Sequence, residues 1–415
     1  MEKKRVLLCL CHMGGQEMKY IEEAFADNWV VPLGPNVNGF EADVSRFLAS
    51  APSADRLDSE TYLPDDIPEK SVVALSAGTA AIHLGLIACG VAPGDEVMVQ
   101  SFTFSASANP VRYLGATPVF VDSEPESWNM DPDLLDRAIA DRIEKTGRRP
   151  KAIVPVYLYG MPARIDAILA VAEKWGIPVI EDAAEAFGSR FRGRCCGTFG
   201  RFGVLSFNGN KMITTSGGGA LIAPSPEEGR RIMFLATQAR ENYPYYQHEE
   251  IGYNYRMSNI CAGIGRGQME ILDSHIAHHR HVQDLYRDLL SGVKGVRLHD
   301  NPSPDFDSNF WLCALTLNTE TNVRGEENAY ATAPASGSAP DPSVEALRLI
   351  LDADGIESRP LWKPMHLQPV FSRNPAYTNG TSESLFRRGL CLPAGPWVTD
   401  DDVRRIADII ADSVS

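Results

Sequence analysis

The chain has 415 residues, of which 44% are hydrophobic, and its formal net charge at pH 7 is −15. This length allows a large core and predicts two domains, one of them large. The acidic balance argues against nucleic acid as a partner, because phosphate backbones are bound by clustered lysine and arginine. No apolar run approaches the ~20 residues of a membrane span, and no secretory leader is evident, so we expect a cytoplasmic protein.

The cysteines give no sign of a metal site or of disulfides. Eight of them occur in the chain, and their spacing matches no paired metal-binding pattern. The adjacent Cys195 and Cys196 have poor geometry for a disulfide with each other. We therefore expect reduced thiols and no bound metal.

The N-terminal part combines helical patterns with irregular segments. Apolar spacing predicts helices over Gly15–Phe25 and Phe40–Leu48. Between them, Trp29–Pro35 contains proline and glycine and is expected to form an extended arm. The segment Ala51–Lys70 is rich in Pro, Asp and Ser without an apolar period, which predicts an inserted surface loop.

Strands and helices alternate through the next part of the chain. The predicted elements are strand Val72–Ser76, helix Ala77–Ala88, strand Glu96–Gln100, helix Ser105–Leu114, strand Thr117–Val121, helix Pro132–Ile143, strand Ala152–Val156, helix Ile165–Trp175 and strand Val179–Asp182. This alternation predicts an α/β fold with a mostly parallel sheet covered on both faces. Such sheets bind ligands at the carboxyl ends of their strands.

One lysine is placed unusually for this residue type. Lys211 lies in a glycine-containing loop between two apolar runs, Phe202–Phe207 and Ala220–Ala223, which predict two strands. An amine held between two strands is partly desolvated and can serve as a Schiff-base nucleophile. The alternative interpretation is a surface lysine in a glycine-rich hairpin.

Four further residues fall at a helix start or at or just past the end of a predicted strand. Asp182 could pair with a protonated ring nitrogen, or it could cap a following helix. The amides of Thr79 and Ala80 could bind a phosphate at a helix N-terminus, although many ordinary helices begin in this way. Phe104 could cover the face of a bound ring or simply pack in the core.

The chain beyond residue 259 is predicted to start with one long helix, Ile260–Tyr286. It carries histidines whose irregular spacing gives no convergent ligand set. We expect them on the solvated surface; they are His275, His278, His279 and His281.

From about residue 287 the alternation of strand and helix becomes looser. Thr319–Pro342 is rich in Asn, Ala, Ser, Gly and Pro, which predicts a disordered or extended loop. Val398–Ser413 is predicted to be a terminal helix. We therefore predict an N-terminal arm and large domain over 1–270 and a small α/β domain over 271–415.

The motifs together resemble the sugar aminotransferases of the DegT/DnrJ/EryC1/StrS family. The resemblance spans nearly the whole chain. It implies fold type I, with a large domain built on a mostly parallel, mixed seven-stranded sheet beside a smaller C-terminal α/β domain, and it implies pyridoxal 5'-phosphate as cofactor. The motifs that carry it are His12-Met-Gly-Gly, Leu33-Gly-Pro, Ser76-Ala-Gly-Thr-Ala-Ala, Asp182, Ser206 through Gly219, Gly252 through Asn259, and Arg359 through His366.

The same resemblance implies roles for individual residues. Lys211 matches the lysine that binds the cofactor as a Schiff base and moves the substrate proton, which requires a neutral amine for part of the cycle. Asp182 matches the partner of the pyridine nitrogen. Phe104 matches the aromatic residue that stacks on the ring, and Glu185 occupies the place of a residue near the phenol oxygen.

Phosphate binding is implied for Thr79, Ala80 and Ser206. Asn254 matches a residue that reaches the phosphate from the neighbouring subunit. This match implies a homodimer with shared active sites.

The resemblance also suggests a substrate. The runs Gln238–Tyr243, Tyr246–His248 and Gly252–Ile260 look most like the members that aminate C4 of a UDP-linked 4-keto-6-deoxy-N-acetylhexosamine, with L-glutamate as donor. The product would be a UDP-2-acetamido-4-amino-2,4,6-trideoxyhexose for bacterial surface polysaccharide or glycan synthesis. Arg256 and His366 are candidate sugar-nucleotide contacts, and either could instead be a structural hydrogen-bonding residue.

Other interpretations keep the fold and change the function. The acceptor could be GDP-4-keto-6-deoxymannose or a dTDP-linked keto-sugar, aminated at C3 or C4. Dehydratases on this fold carry histidine where this chain has Lys211. A non-catalytic regulator or scaffold would not need Lys211, Asp182 and Ser206 together.

Overall fold

The computed structural model describes residues 5–50, 71–331 and 338–415. The α-helices are α1 Glu17–Ala26, α2 Pro35–Leu48, α3 Gly78–Ala88, α4 Asn109–Tyr113, α5 Pro132–Thr146, α6 Ile165–Trp175, α7 Pro226–Ala236, α8 Asn259–Met269, α9 Leu272–Leu290, α10 Pro342–Ala353, α11 Thr381–Arg388 and α12 Asp400–Ser413. The strands are β1 Ser71–Leu75, β2 Glu96–Gln100, β3 Thr117–Val121, β4 Ala152–Val154, β5 Ile180–Asp182, β6 Arg190–Phe191, β7 Arg194–Cys195, β8 Phe202–Ser206, β9 Gly219–Ala223, β10 Val296–Leu298, β11 Phe306–Asp307, β12 Cys313–Leu317, β13 Arg359–Pro360, β14 Ala376–Tyr377 and β15 Gly389–Leu392. The loop predicted at 51–70 lies outside the described residues.

Two four-stranded sheets, in the orders β1-β9-β8-β5 and β14-β3-β2-β4, form the centre of the larger part of the molecule. Strand β2 is parallel to β3 and β4, and β5 is parallel to β8, whereas β9 runs antiparallel to β1 and β8. The α/β class with parallel strand pairs is therefore confirmed.

The predicted seven-stranded sheet is not present as one continuous ladder. Between β4 and β5 the structure has two isolated parallel bridges, Ile153 with Val179 and Val156 with Asp182. Each of these strands has three residues. Pro155 and Pro178 lie beside the bridges, and proline has no N–H to donate to a ladder.

Helix α3 packs against this centre and is buried along nearly its whole length. Apart from Thr79 and His83, its residues are apolar or glycine on all sides, which suits a helix enclosed in a core. Gly78 allows the start of the helix to approach β8 closely, because a Cβ at that position would lie 3.1 Å from the Cβ of Ser206. The helix N-terminus is thereby fixed close to the carboxyl ends of β5 and β8.

Three helix predictions need correction. The predicted helix Ser105–Leu114 is a 3-10 turn, Ser105–Ser107, followed by the short helix α4. The predicted helix Phe40–Leu48 begins earlier, at Pro35, because proline suits the first turn of a helix and Gly34 precedes it with a φ of 139°. The single long helix predicted over Ile260–Tyr286 is two helices, α8 and α9, which are interrupted at Glu270 and Ile271.

The prediction that the four histidines of this helix lie on the solvated surface is also partly wrong. His275 and His279 face inward from α9 and are buried, with 4% and 1% of their surface exposed. Their ring nitrogens lie within hydrogen-bonding distance of backbone carbonyl oxygens of Met212 and Phe310, respectively. Both lie on the face of α9 that also buries Leu272, Ile276, Val282 and Tyr286, so the helical period itself marks them as inward-facing.

The C-terminal part has its own antiparallel sheet, in the order β10-β12-β15-β13, packed against α9, α10 and α12. Among its described residues, the loop predicted over Thr319–Pro342 contains the short 3-10 helix Glu326–Asn328 and an isolated bridge from Val323 to Val414. Residues 332–337 are outside the described part. The division into 1–270 and 271–415 stays a prediction.

Candidate active site

A cavity of about 380 Å³ opens at the carboxyl ends of β5 and β8. Asp182 is the last residue of β5, and Ser206 is the last residue of β8. The first turn of α3 also lines this cavity. Most of the predicted site residues line this one cavity, namely Thr79, Phe104, Asp182, Glu185, Ser206 and Lys211.

Lys211 is not a solvated hairpin lysine. Its side chain is 14% exposed, and Nζ lies 3.3 Å from Oε1 of Glu185. The same amine lies 4.0 Å from the centre of the Trp311 ring. A carboxylate and an aromatic face both attract an ammonium group, so the amine is held at one place in the cavity.

Glu185 is fixed in turn by the backbone. The N–H of Tyr159 donates to Oε2 of Glu185 at 2.7 Å, which leaves Oε1 for the lysine. Asn309 donates from Nδ2 to the Glu185 carbonyl oxygen at 3.0 Å. The carboxylate therefore has little freedom to move away from Lys211.

Asp182 is a buried carboxylate with two donors. Ser107 Oγ donates to Oδ2 at 2.6 Å, and the N–H of Ala184 donates to Oδ1 at 3.2 Å. Burial raises the pKa of Asp182, and the hydrogen bonds from Ser107 and Ala184 oppose that shift. The following residues form turns, so the helix-cap interpretation of Asp182 is wrong.

The first turn of α3 presents unsatisfied donors to the cavity. Its N-cap residue is Ala77, which makes no side-chain hydrogen bond to the first N–H groups. Ala77, Gly78 and Thr79 line the cavity together with Ser206, which lies beside Gly78. Ala80 follows in the same turn but its side chain is buried, so only its backbone N–H could bind a phosphate.

Phe104 stands at the mouth of the cavity with 61% of its surface exposed. Core packing, the default role for a phenylalanine, therefore does not apply to this residue. An exposed aromatic ring beside a cavity is well placed to cover a planar ligand.

Besides Ala80, three predicted residues are not brought to the cavity wall. Asn254 is exposed, and its backbone forms a bridge with Thr237. Arg256 is engaged elsewhere, because Nη1 donates to Glu41 and to the carbonyl oxygen of Ala74.

His366 is also used within the fold. Its Nδ1 lies 2.6 Å from Ser101 Oγ, and Nε2 lies 3.0 Å from Oε1 of Glu383. Arg256 and His366 thus both make hydrogen bonds within the fold, and a substrate contact by either of them stays a prediction.

Sequence reasoning missed several cavity residues. Ser107 belongs to a serine-rich segment in which nothing marks one hydroxyl over another. Trp311 and Trp362 come from the C-terminal part of the chain and close the cavity from the other side. No local pattern could have placed them there, since their position depends on how the two parts pack.

The donors and charges in the cavity fit pyridoxal phosphate. Uncapped N–H groups with a serine hydroxyl suit a phosphate, a buried carboxylate suits a protonated ring nitrogen, and a lysine amine lies between them. Within the described residues there is no group of three or more His, Cys, Asp or Glu that could hold a metal ion. Across the same residues, no helix has both the length and the apolar character to cross a membrane.

Known proteins match the chain along most of its length. The sequence model of the DegT/DnrJ/EryC1/StrS aminotransferase family matches residues 59–411. EpsN of Bacillus subtilis (strain 168), whose name proposes a pyridoxal phosphate-dependent aminotransferase, is 42% identical over 411 residues, covering 98% of this chain and 95% of its own. GDP-perosamine synthase of Escherichia coli O157:H7 is 33% identical over 396 residues, covering 95% of each chain.

A solved structure agrees with this assignment. The crystal structure of a DegT DnrJ EryC1 StrS aminotransferase from Brucella abortus aligns with a TM-score of 0.81 at 28% identity, covering 96% of this chain and 95% of that chain. The fold type I architecture and the enzyme class predicted from the sequence are confirmed. The chain belongs to the DegT/DnrJ/EryC1/StrS aminotransferase family and is a pyridoxal phosphate-dependent transaminase.

Proposed function

We propose that the enzyme transfers an amino group from L-glutamate to the keto carbon of a nucleotide-linked 4-keto-6-deoxy sugar. The observation that carries the chemistry is the meeting of Lys211, Glu185 and Asp182 in one cavity, which the uncapped first turn of α3 also lines. A scaffold would need none of these groups together. A dehydratase of this fold would carry histidine in place of Lys211.

The cofactor-binding roles follow from the positions of the side chains. The N–H groups at the start of α3 and the Ser206 hydroxyl bind the phosphate, and Phe104 covers the ring. Asp182 binds the protonated ring nitrogen. The positive charge of the ring nitrogen favours the ionised form of Asp182. It therefore opposes the rise in the pKa of Asp182 that burial causes.

Pyridoxal phosphate, when bound, supplies a carbonyl that takes up the amino group and a ring that accepts electron density from the substrate carbon. Lys211 takes a proton from that carbon at Nζ and would deliver it to C4′ of the cofactor, which requires the amine to be neutral for part of the cycle. Glu185 and Trp311 hold the amine in reach of the carbon. Trp311 and Trp362 exclude water from this wall of the cavity.

The first candidate acceptor is UDP-2-acetamido-4-keto-2,6-dideoxyhexose, in a pathway for bacterial surface polysaccharide or glycan. Its support is the resemblance of Gln238–Tyr243, Tyr246–His248 and Gly252–Ile260 to enzymes of that specificity. The second candidate is GDP-4-keto-6-deoxymannose. It is favoured by the 33% identity with a GDP-perosamine synthase over 95% of each chain.

We further propose a homodimer in which Asn254 completes the site of the neighbouring subunit. In the single chain Asn254 is exposed and lies off the cavity wall. The arm before α2 and the segment before Asn254 expose large apolar side chains, which a second copy would cover. They are Trp29, Val30, Val31, Leu33, Tyr243, Tyr245, Tyr246 and Ile251.

Mixed dimers test the shared site. Lys211→Ala and Asn254→Ala protomers, each inactive alone, should regain about a quarter to a half of the activity when mixed, because one site in the heterodimer is intact. Absence of any recovery in heterodimers isolated by two affinity tags would contradict shared sites. We also propose a cytoplasmic location, which the free thiols of all eight cysteines would suit.

Absorbance spectra of the protein loaded with pyridoxal phosphate test the reaction itself. We expect the cofactor band to fall when L-glutamate is added and to return with the UDP-linked keto-sugar alone. Recovery with the GDP-linked sugar alone would favour the second candidate. A band that does not respond to L-glutamate would exclude this donor, and a protein that binds no pyridoxal phosphate would overturn the assignment.

A further inference from the structure

The backbone that follows Lys211 is held by two buried side chains from α8 and α9. His275 Nδ1 lies 3.3 Å from the carbonyl oxygen of Met212, the residue next to the lysine. The N–H of Thr214 donates to Oε1 of Gln268 at 3.3 Å. Both side chains are buried and come from helices that contribute no cavity residue of their own.

These two side chains are themselves fixed by the segment around the start of α1. Nε2 of Gln268 donates to the carbonyl oxygen of His12 at 2.8 Å and to Oε1 of Glu17 at 2.6 Å. Glu17 also accepts the N–H groups of Gly14 and Gly15 at 2.7 and 2.8 Å. This N-terminal segment is thereby connected to the lysine loop through side-chain hydrogen bonds.

The His275 ring completes a second connection to the same segment. A carbonyl oxygen can only accept a hydrogen bond. Nδ1 of His275 is therefore protonated and donates to the carbonyl oxygen of Met212. In the neutral ring Nε2 is then an acceptor, and Nδ1 of His12 lies 3.4 Å from it. Burial lowers the pKa of His275 and so favours this neutral form.

We propose that His275 and Gln268 are positioning residues that fix the Lys211 loop, and that His12 and Glu17 hold them in place. The inference rests on the proposed role of Lys211 in proton transfer. A lysine side chain has several rotatable bonds, so the place of its amine depends on a fixed backbone. A shift of about 1 Å at a reacting group can cost about 100-fold in rate.

Substitutions at His275 test the hydrogen bond to Met212. His275→Leu removes the donor, whereas His275→Asn keeps an N–H near the position of Nδ1. His281→Asn is the matched control, because His281 lies on the same helix and bonds the surface residue Asp400. The quantity to measure is the single-turnover rate constant of the half-reaction with the amino donor. We expect it to fall about 10- to 100-fold in His275→Leu and to recover to within about threefold of wild type in His275→Asn.

Hydrogen exchange gives a readout that needs neither cofactor nor substrate. Peptides covering residues 207–216 should exchange about tenfold faster in His275→Leu and in Gln268→Met, which removes the acceptor for the Thr214 amide. Exchange in His275→Asn and His281→Asn should stay near wild type. Since no sugar is involved, a wrong sugar assignment leaves this test intact.

His12→Phe probes the N-terminal connection without loss of ring packing, because the ring of His12 lies edge-on to Trp397 at 5.0 Å. We expect faster exchange of the same peptides and a three- to tenfold lower single-turnover rate constant. The proposal is overturned if His275→Leu matches His281→Asn in both readouts, or if His275→Asn is as impaired as His275→Leu. Should His275→Leu fail to fold, the same criteria apply to His12→Phe and Gln268→Met against His281→Asn.

Discussion

The amine of Lys211 lies 3.3 Å from the Glu185 carboxylate, which is 6% exposed. The pair joins a loop after β8 to a turn after β5, so both residues owe their position to adjacent parallel strands. Charge-assisted hydrogen bonds of this kind are among the stronger polar contacts in proteins. Lys211 is therefore oriented before any ligand enters the cavity.

Replacement of this lysine should end catalysis. We expect Lys211→Ala to lower the rate of transamination on the order of 10⁴-fold, because the proton-transfer group is lost. Lys174→Ala, which removes an amine bonded to Asp136 on the surface, should leave the rate unchanged. Both variants are measured in steady-state assays with the amino donor that lowers the absorbance of the cofactor band. A substantial rate of transamination in Lys211→Ala would assign proton transfer to another group.

Asp182 and Ser107 should affect catalysis to different degrees. Asp182→Asn removes the charge facing the ring nitrogen and should lower kcat by about 10³-fold while the cofactor stays bound. Ser107→Ala removes one hydrogen bond to the carboxylate, worth about 1.5 kcal/mol or more, and should cost about tenfold. The absorbance of the bound cofactor measures its occupancy, and kcat measures catalysis. The two measurements together distinguish a loss of cofactor from a slower reaction. A nearly wild-type rate in Asp182→Asn would mean that another group pairs with the ring.

A glycine controls how closely β9 approaches the start of α3. A Cβ on Gly219 would overlap the backbone at Ala77 and Gly78, so Gly219→Ala must displace the first turn of the helix. We expect a loss of about 1–3 kcal/mol in stability and an affinity for pyridoxal phosphate at least about tenfold weaker. Gly292→Ala is the control, since a Cβ there meets nothing within 4 Å. Equal affinities in cofactor titrations of both variants would contradict this prediction.

Arg256 should matter for stability rather than for the sugar. Its side chain is 6% exposed and pairs with Glu41, so Arg256→Met would leave a largely buried carboxylate unpaired, at a cost of about 3 kcal/mol. Arg231→Met breaks an exposed pair with Glu250 and should change stability little. Urea denaturation and KM for the sugar nucleotide distinguish the roles. A higher KM with unchanged stability would restore Arg256 as a substrate contact.

The buried His279 should make stability depend on pH. Burial lowers its pKa from 6.5 to about 3, so below about pH 6.5 the unfolded chain takes up a proton that the folded chain does not. The free energy of unfolding therefore falls by about 1.4 kcal/mol per pH unit as pH drops from about 6.5 towards 3.

Asparagine at this position can still donate to the Phe310 carbonyl but does not titrate. Between pH 7 and pH 5.5, His279→Asn should lose about 1 kcal/mol less stability than wild type in urea denaturation. His281→Asn, on the exposed side of the same helix, is the comparison variant. An identical loss in His279→Asn and wild type would show that His279 is not the titrating group.

The sequence alone determined the features that depend on local pattern. Alternating strand and helix periods gave the α/β class, and Asp182, Ser206 and Lys211 could be placed after strands because apolar runs end there. Family motifs then added their expected roles. The surface position expected for His279 was wrong, because it rested on the lack of a ligand pattern among the histidines, whereas the helical period places His279 on the buried face with Ile276 and Tyr286.

Only the tertiary structure decided which distant residues meet. Trp311 donates to the carbonyl oxygen of Asn210, a residue 101 positions earlier, and Arg256 pairs with Glu41 across 215 positions. His275 and Gln268 likewise reach the Lys211 loop only because α8 and α9 pack beside it. The physical reason is that local periodicity reports which face of an element is buried, whereas a hydrogen bond or ion pair requires two specific atoms within about 3 Å, a condition set by packing.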